Sequence, residues 1–210
     1  MVLNNYRAKA DSILRPVAKA FSGISPNALS GISLICAALM MLVLIFWREP
    51  AALLVAFVLV LLNGFFDAID GAVAHLTGKA SARGDMVDHV IDRYADFFMI
   101  AGISLSTYAD ARIGLLALGC VMIASYMGTQ SQALGLKRDY GGLLGRAERM
   151  VLIMAFILLQ YFSTEFYQGS FEIASGFAVT LLDVLLLVFV FAASATALQR
   201  LVRMWRALGP

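Results

Sequence analysis

Four aspartates have the residue type and the spacing that bind metal ions. Asp67 and Asp70 are three residues apart, and Asp88 and Asp92 are four residues apart. Residues at these spacings share one face of a helix, so each pair presents its carboxylates in one direction. Carboxylate oxygens are hard ligands, which suit Mg²⁺ or Mn²⁺ better than zinc. The pattern therefore predicts a site for two such ions, with ligands supplied by two helices.

A pair of hard metal ions indicates a particular chemistry. It favours attack of a hydroxyl on a phosphoryl group, because it stabilises charge on the entering and leaving oxygens. A carboxylate at the edge of the pair could take the proton from the attacking hydroxyl. Gly71 and Gly84 flank the aspartates, as expected where the backbone approaches a ligand closely. The short connector between the two helices predicts antiparallel neighbours with the acids at one end.

Most of the chain is apolar enough to lie in a membrane. Of the 210 residues, 61% are hydrophobic and 14% are charged, which exceeds the apolar share of soluble domains. A soluble enzyme, a nucleic-acid-binding protein and a disordered chain are therefore excluded, and no nucleic-acid partner is expected. A membrane-spanning helix needs about 20 mostly apolar residues. Six windows qualify, approximately 28–47, 51–74, 86–107, 111–135, 148–167 and 174–198.

The segment before the first window has a different pattern. Over residues 2–21, apolar residues recur at helical spacing with basic residues mostly opposite, which is typical of a helix lying in the membrane interface. Repeats, low-complexity tracts and a second domain are absent from the sequence, so residues 1–210 are expected to form one domain. We therefore predict an all-α integral membrane protein, with six transmembrane helices preceded by an amphipathic interfacial helix.

The basic residues predict the orientation in the membrane. Lysine and arginine gather before the first, third and fifth windows and after the sixth, whereas the opposite side carries only Arg48 and Arg112. Loops rich in these residues stay on the cytoplasmic side. We therefore expect a multi-pass protein of the cell (plasma) membrane, with both termini and the acidic site cytoplasmic.

The acidic pattern resembles the signature of a known family. The run Asp67-Ala68-Ile69-Asp70-Gly71-Ala72-Val73-Ala74, followed by Gly84, Asp88 and Asp92, is similar to that of the CDP-alcohol phosphotransferases. Their signature is D-x-x-D-G-x-x-A-R, a spacer of eight residues, and G-x-x-x-D-x-x-x-D. Every fixed position matches except one, because His75 stands where the family has arginine.

This resemblance implies a reaction and its participants. Such enzymes displace CMP from a CDP-linked lipid by attack of an alcohol on the lipid-attached phosphate. It implies that Asp67, Asp70, Asp88 and Asp92 bind two Mg²⁺ or Mn²⁺ ions and that Asp92 is the general base. A homodimer in membrane lipid is also implied. The positions that correspond to CDP-lipid contacts are Asn27, Ser30, Gly71, His75, Ser81 and Gly84.

A glycine- and arginine-rich run before the fifth window bears on the acceptor alcohol. In residues 141–149, Arg146 and Arg149 are three apart on one helix face and could clamp a phosphate. The run resembles the G-L-x-x-R-x-E-R segment of inositol-phosphate-using members. The implied acceptor is a phosphorylated polyol, foremost myo-inositol 1-phosphate. The residues expected to bind its phosphate are Arg146, Arg149, Lys137, Arg138 and Gln130.

Other acceptors and another class of function stay open. Inositol-phosphate-using members carry basic residues at the cytoplasmic end of the fourth span, whereas residues 126–132 here are polar and uncharged. Glycerol 3-phosphate is therefore the leading alternative acceptor, and serine a more distant one. Intramembrane carboxylates also occur in ion-coupled transporters. The acids gather at one end rather than along a route through the bilayer, which favours the enzyme.

Three further polar residues lie within the windows. Asp96 continues the acidic face one turn deeper, where it is expected to pair with Arg93. Asp183 is expected to form a hydrogen bond between helices. His89 follows Asp88 directly, about 100° away around the helix, so a packing role, or a supporting role beside the metal ligands, is favoured over metal ligation.

Overall fold

Seven helices and one short hairpin make up the described part of the computed structural model, which covers residues 7–137, 139, 141–174 and 177–209. The helices, in chain order, are α1 Arg7–Ala20, α2 Pro26–Phe46, α3 Ala51–Leu76, α4 Ala82–Leu105, α5 Ala111–Ala133, α6 Arg146–Phe166 and α7 Leu181–Leu208. The hairpin, β1 Phe171–Ala174 and β2 Phe177–Val179, connects α6 to α7.

Several helices have the length and composition of membrane spans. In the described part of the chain, α2, α3, α5, α6 and α7 are long and apolar enough to cross a bilayer. Helix α4 has 24 residues, but its first half carries the aspartates and arginines that lower its hydropathy. The prediction of a largely helical, multi-pass membrane protein is confirmed.

The last span begins later than predicted. The sixth window starts at residue 174, whereas α7 starts at Leu181 and continues to Leu208. The preceding residues form an antiparallel hairpin, with Phe171 opposite Val179, so the all-α prediction omits a small sheet. Over residues 171–179 large apolar residues alternate with small or polar ones, which is the period of a strand. Counting apolar residues in a window does not separate this pattern from a helix.

Asp183 makes the predicted hydrogen bond between helices and has a second role as well. It lies in the first turn of α7, where its backbone N–H donates to Thr180 Oγ1 at 3.0 Å and its Oδ2 accepts from the Thr180 backbone N–H at 3.0 Å. This reciprocal arrangement is a capping box. Its Oδ1 accepts from the Asp110 backbone N–H at 2.6 Å. Asp183 therefore starts α7 and fixes it to the connection that precedes α5.

Helix α2 holds α3 and α4 in place. The short connector predicts that α3 and α4 are antiparallel neighbours with their acids at one end. The acids do meet there, although over their length both helices pack mainly along α2. On one side the Asn63 side chain donates to the Ser33 carbonyl at 2.8 Å. On the other, a Cβ at Gly102 would lie 2.7 Å from Met41 Cα, so only glycine permits this approach. The carboxylates repel one another, and this arrangement leaves room between the helices that carry them.

Two apolar clusters bury the inner faces of the helices. The larger one occupies the middle of the bundle, and α5 packs along α7 beside it. The smaller one lies under α1, which rests on the half of α3 that carries Asp70. Residues 2–6 of the predicted interfacial helix lie outside the described residues. Representative members of the larger cluster are Met40, Leu53, Val60, Met99, Ile103, Val121, Ile157, Leu185 and Phe189, and the smaller one contains Ala18, Leu29, Ile69 and Val73.

Candidate active site

The two aspartates of α3 lie near its C-terminal end. Asp70 is buried, and the hydroxyl of Ser30, on α2, donates a hydrogen bond to its Oδ2. Ser30 was predicted from the family resemblance as a CDP-lipid contact, and here it also fixes a carboxylate. Asp67, one turn earlier, is half-buried and has one oxygen without a hydrogen-bond partner among the described residues. This oxygen is available to a cation.

Helix α4 brings two more aspartates to the same place. The helix begins at its N-cap Ser81, whose side chain accepts from the Gly84 backbone N–H at 3.1 Å. One turn later, Asp88 has a carboxylate oxygen that lies with oxygens of Asp67 and Asp70 inside a group whose members are all within 4.8 Å of one another. This group joins α3 to α4, as the sequence predicts.

A second group overlaps the first at Asp88. Ligand atoms of Asp88, His89 and Asp92 also lie within 4.8 Å of one another. The sequence favours a packing role for His89, but the imidazole reaches the aspartates and its Nε2 is 3.4 Å from Asp85 Oδ1. A residue that points away from a helix face can therefore still bring the end of its side chain close to the residues on that face. Asp88 is common to the two groups.

These donors fit hard divalent ions. Oxygen atoms from two rigid helices converge within coordination range, which suits Mg²⁺ or Mn²⁺. The cluster is also partly neutralised by an arginine of α6. Arg146 Nη1 lies 2.7 Å from Asp67 Oδ2 and 2.5 Å from Asp92 Oδ1. The Arg146 guanidinium thus shows that the meeting point of the acids attracts a positive charge.

A cavity of about 520 Å³ opens beside Asp70 and Asp88. It contains every residue that the resemblance assigns to the CDP-lipid. A Cβ at Gly71 would meet nothing within 4 Å, as expected for a glycine at a cavity wall. Lys79 lies in this cavity with His75 and adds a cation that the site prediction missed. The predicted residues in its lining are Asn27, Ser30, Gly71, His75, Ser81 and Gly84.

A second cavity, of about 130 Å³, lies on the other side of Asp92. Among the described residues, four arginines from three helices line it: Arg93 of α4, Arg146 and Arg149 of α6, and Arg200 of α7. Arg146 and Arg149 are the phosphate-binding residues that the sequence predicts. Arg200 stands in the sequence only as a basic residue of the C-terminal tail, because nothing near it indicates a site.

The other predicted acceptor residues lie elsewhere. Lys137 is exposed and Gln130 is half-buried, and neither lines the cavity of the four arginines. Arg138 lies outside the described residues. The glycine-rich loop itself is held by α7, since Arg200 Nε donates to the Gly141 carbonyl at 2.9 Å and Arg203 Nη1 lies 3.0 Å from Asp139 Oδ1.

Asp96 organises the deep side of the arginine cavity. Its Oδ2 lies 3.3 Å from Arg93 Nη1, as the sequence predicts, and 2.5 Å from Arg149 Nη2. Arg149 is buried, and its Nε has no hydrogen-bond partner among the described residues. The same is true of Nε and Nη2 of Arg146. These buried donors make the cavity a strong candidate for binding a phosphate dianion.

Comparison with known proteins agrees with the signature. The family model of CDP-alcohol phosphatidyltransferases matches residues 23–189. An archaetidylinositol phosphate synthase of Aeropyrum pernix is 30% identical, over 85% of this chain and 89% of that protein. A homologue from Methanothermobacter thermautotrophicus with the same name is 29% identical, over 70% and 67%. A phosphatidylinositol phosphate synthase of Cutibacterium acnes is 26% identical, over 98% and 99%.

Solved structures show the same fold. The crystal structure of Mycobacterium tuberculosis phosphatidylinositol phosphate synthase with CDP-DAG bound superposes with a TM-score of 0.71 at 22% identity, covering 92% of this chain and 94% of that one. The same enzyme in complex with manganese and citrate also gives 0.71, covering 91% and 88%. The predicted family resemblance is confirmed, and the chain belongs to the CDP-alcohol phosphatidyltransferase family.

Proposed function

We propose that this protein transfers the lipid-phosphate group of a CDP-linked lipid to a hydroxyl of myo-inositol 1-phosphate and releases CMP. One observation carries the proposal: the aspartate cluster lies between a cavity lined by the CDP-lipid positions and a cavity lined by four arginines. A donor nucleotide and a phosphorylated acceptor would thus meet at the carboxylates. The names of the relatives from archaea and bacteria support the same acceptor.

The aspartates have distinct tasks in this proposal. Asp67, Asp70, Asp88 and Asp92 hold two Mg²⁺ or Mn²⁺ ions. When bound, such ions supply charge stabilisation at the phosphoryl oxygens. Asp92 also lines the arginine cavity, which supports its assignment as the general base for the acceptor hydroxyl. The acceptor oxygen bonds to the lipid-attached phosphorus, CMP leaves with the electron pair of the broken P–O bond, and the hydroxyl proton passes to Asp92.

The arginines support an acceptor that carries its own phosphate. The uncharged end of α5 argues against such an acceptor on sequence grounds, but Arg93 and Arg200 supply positive charge to the same cavity from α4 and α7. Serine offers only a singly charged carboxylate, so it would satisfy the unpaired buried donors of Arg146 and Arg149 less well than a phosphate dianion. Glycerol 3-phosphate satisfies the same arginines and stays the alternative acceptor.

The membrane arrangement is part of the proposal. Helix α4 is about 36 Å long at 1.5 Å per residue, enough to cross the bilayer, and the second half of it is apolar and largely buried. With α4 as a sixth span, both termini and the active site face the cytoplasm of the cell membrane. Helix α1 would lie in the interface beside α3, next to the CDP-lipid cavity. The family resemblance further implies a homodimer.

The acceptor is tested by CMP release from purified protein in detergent. CDP-diacylglycerol or CDP-archaeol is supplied with Mn²⁺ or Mg²⁺ and, separately, myo-inositol 1-phosphate, glycerol 3-phosphate, serine or unphosphorylated myo-inositol. We expect release to be at least about 10-fold faster with myo-inositol 1-phosphate than with myo-inositol, since loss of the charge-assisted contacts to the phosphate costs a factor of that order. Myo-inositol is the matched control for the phosphate. Faster release with glycerol 3-phosphate would overturn the acceptor assignment.

Replacing His75 by Arg restores the family residue and is expected to preserve activity. His75 is exposed in the CDP-lipid cavity, so the larger side chain has room and can contact a phosphate directly. We expect the KM for CDP-lipid to stay the same or to fall by a few-fold. Lys79→Gln is the companion variant and should raise that KM, because Lys79 supplies a charge to the same cavity. Loss of CDP-lipid binding in His75→Arg would place this residue away from the phosphates.

A further inference from the structure

Arg146 contacts the metal-binding acids and the phosphate-binding cavity at once. Its Nη1 bridges Asp67 Oδ2 and Asp92 Oδ1, at 2.7 and 2.5 Å. The same side chain lines the arginine cavity together with Arg149 and Arg200. It is the first residue of α6 and follows the N-cap Gly145. A single guanidinium group therefore stands at the boundary between the two halves of the site.

The guanidinium group and a divalent ion compete for the negative charge of the same two carboxylates. Asp67 belongs to the group of ligand atoms shared with Asp70 and Asp88, and Asp92 belongs to the group shared with Asp88. Arg146 holds one oxygen of each carboxylate at ion-pair distance and neutralises part of the charge that would attract an ion to the other oxygen. Two like charges a few ångströms apart in a site of low dielectric also repel strongly. Binding of metal ions must therefore weaken the hold of Arg146 on Asp67 and Asp92.

The remaining donors of Arg146 fit a second partner. Its Nε and Nη2 are buried and have no hydrogen-bond partner among the described residues. A phosphate dianion in the arginine cavity would accept from a planar pair of such donors in a bidentate contact. Such a dianion would also compensate the guanidinium charge once the aspartates are neutralised by metal ions.

We propose that Arg146 exchanges ion-pair partners during the reaction cycle, binding Asp67 and Asp92 before the metal ions and the acceptor phosphate after them. This inference rests on the proposed function, which supplies the ions and the acceptor phosphate. The exchange makes binding of the metal ions and binding of the acceptor phosphate favour each other. The metal ions release Arg146 from the aspartates, and the phosphate keeps Arg146 away from them. Metal ions and the phosphorylated acceptor then load together, and an acceptor without phosphate gains nothing from the metal.

The competition is tested by Mn²⁺ binding to the full-length protein in detergent, without lipid or acceptor, read from the electron paramagnetic resonance signal of free Mn²⁺. Arg146→Gln should bind Mn²⁺ at least about 5-fold more tightly than wild type, which is the smallest change typical of coupled binding sites. Arg149→Gln is the matched control, because it removes the same charge from the same cavity but contacts Asp96 instead of the metal-binding acids. It should change Mn²⁺ affinity less. Equal affinities in the two variants, or weaker binding in Arg146→Gln, would overturn the proposal.

Another variant and another ligand test whether a change in Mn²⁺ affinity comes from the exchange or from misfolding. Arg146→Lys keeps the charge but has no planar fork to bridge two carboxylates, so its Mn²⁺ affinity should fall between wild type and Arg146→Gln. In wild type, Mn²⁺ should tighten binding of myo-inositol 1-phosphate, and this gain should shrink in Arg146→Gln; an undiminished gain would contradict the exchange.

The outcome also separates the exchange from the proposed function. Tighter Mn²⁺ binding in Arg146→Gln with no CMP release from any alcohol in wild type would support the competition at Arg146 and refute the proposed reaction. CMP release in wild type with identical Mn²⁺ affinities in the Arg146 and Arg149 variants would refute the exchange alone. Because the primary readout is metal affinity, activity of the loaded enzyme is not needed to decide it.

Discussion

Asp92→Asn is expected to reduce CMP release by about 10³-fold or more while CDP-lipid binding and part of the metal binding persist. Asparagine has nearly the same size as aspartate but does not accept the acceptor's proton, and loss of a general base typically costs 10²–10⁴-fold. Asp92 is the one of the four aspartates that lines the arginine cavity, so it lies on the acceptor side. Single-turnover CMP release measures the chemical step separately from lipid binding.

A matched acid far from the site serves as the control for Asp92. Glu165→Gln also removes one negative charge, but Glu165 is exposed in the last turn of α6, at the opposite end from Arg146. We expect that variant to release CMP at the wild-type rate. Full activity in Asp92→Asn would remove Asp92 as the base and would move the proton acceptor to another group of the cavity.

Asp88→Asn is expected to abolish Mn²⁺ binding and, with it, detectable turnover. Asp88 is the only member common to both groups of candidate ligands in the described structure, so its loss weakens two coordination sites together. Asp70→Asn is the informative comparison, because Asp70 belongs to one group alone. The number of Mn²⁺ ions bound per chain should fall from about two to none in the first variant and to about one in the second.

The stoichiometry decides between shared and separate ligation. Two ions retained by Asp88→Asn would show that the two groups do not share this ligand. Helical content measured by circular dichroism should stay at the wild-type level in both variants. Asp70 accepts a hydrogen bond from the Ser30 hydroxyl, and an asparagine oxygen retains that acceptor.

Local spacing carried much of the information about the metal site. Asp67, Asp70, Asp88 and Asp92 were identifiable because a helix converts intervals of three and four residues into a common face, whatever the helix packs against. The predicted CDP-lipid positions came instead from the family resemblance, since Gly71, His75 and Gly84 stand at fixed places in its signature. The structure brings all of them to one cavity.

The arginine cavity could be predicted only in part. Arg146 and Arg149 belong to a recognisable run, but Arg93 and Arg200 reach the cavity through the packing of α4 and α7 around it. That packing depends on side-chain fit between helices distant in sequence, which a single sequence does not encode in any local pattern. Arg200 was therefore indistinguishable from the other basic residues of the tail.

The errors in predicting the fold from the sequence had similar causes. The hairpin before α7 was read as part of a span, because its residues are apolar and only their alternation marks a strand. Because the start of α7 was predicted too early, the part of Asp183 in the capping box of that helix was missed, although its hydrogen bond to another helix was predicted. The short connector correctly brings the acids of α3 and α4 to one end, but it does not reveal that α2 supports both helices.

Because α2 supports both α3 and α4, substitutions outside the site can change its geometry. The distance between the two helices that carry the aspartates depends on how closely each packs on α2, at Ser33 with Asn63 and at Met41 with Gly102. One additional methyl group on that seam would act as a wedge and spread the acidic residues without altering any of them. Natural variants of this enzyme can therefore lose or retune their chemistry through changes at positions that touch neither nucleotide nor alcohol.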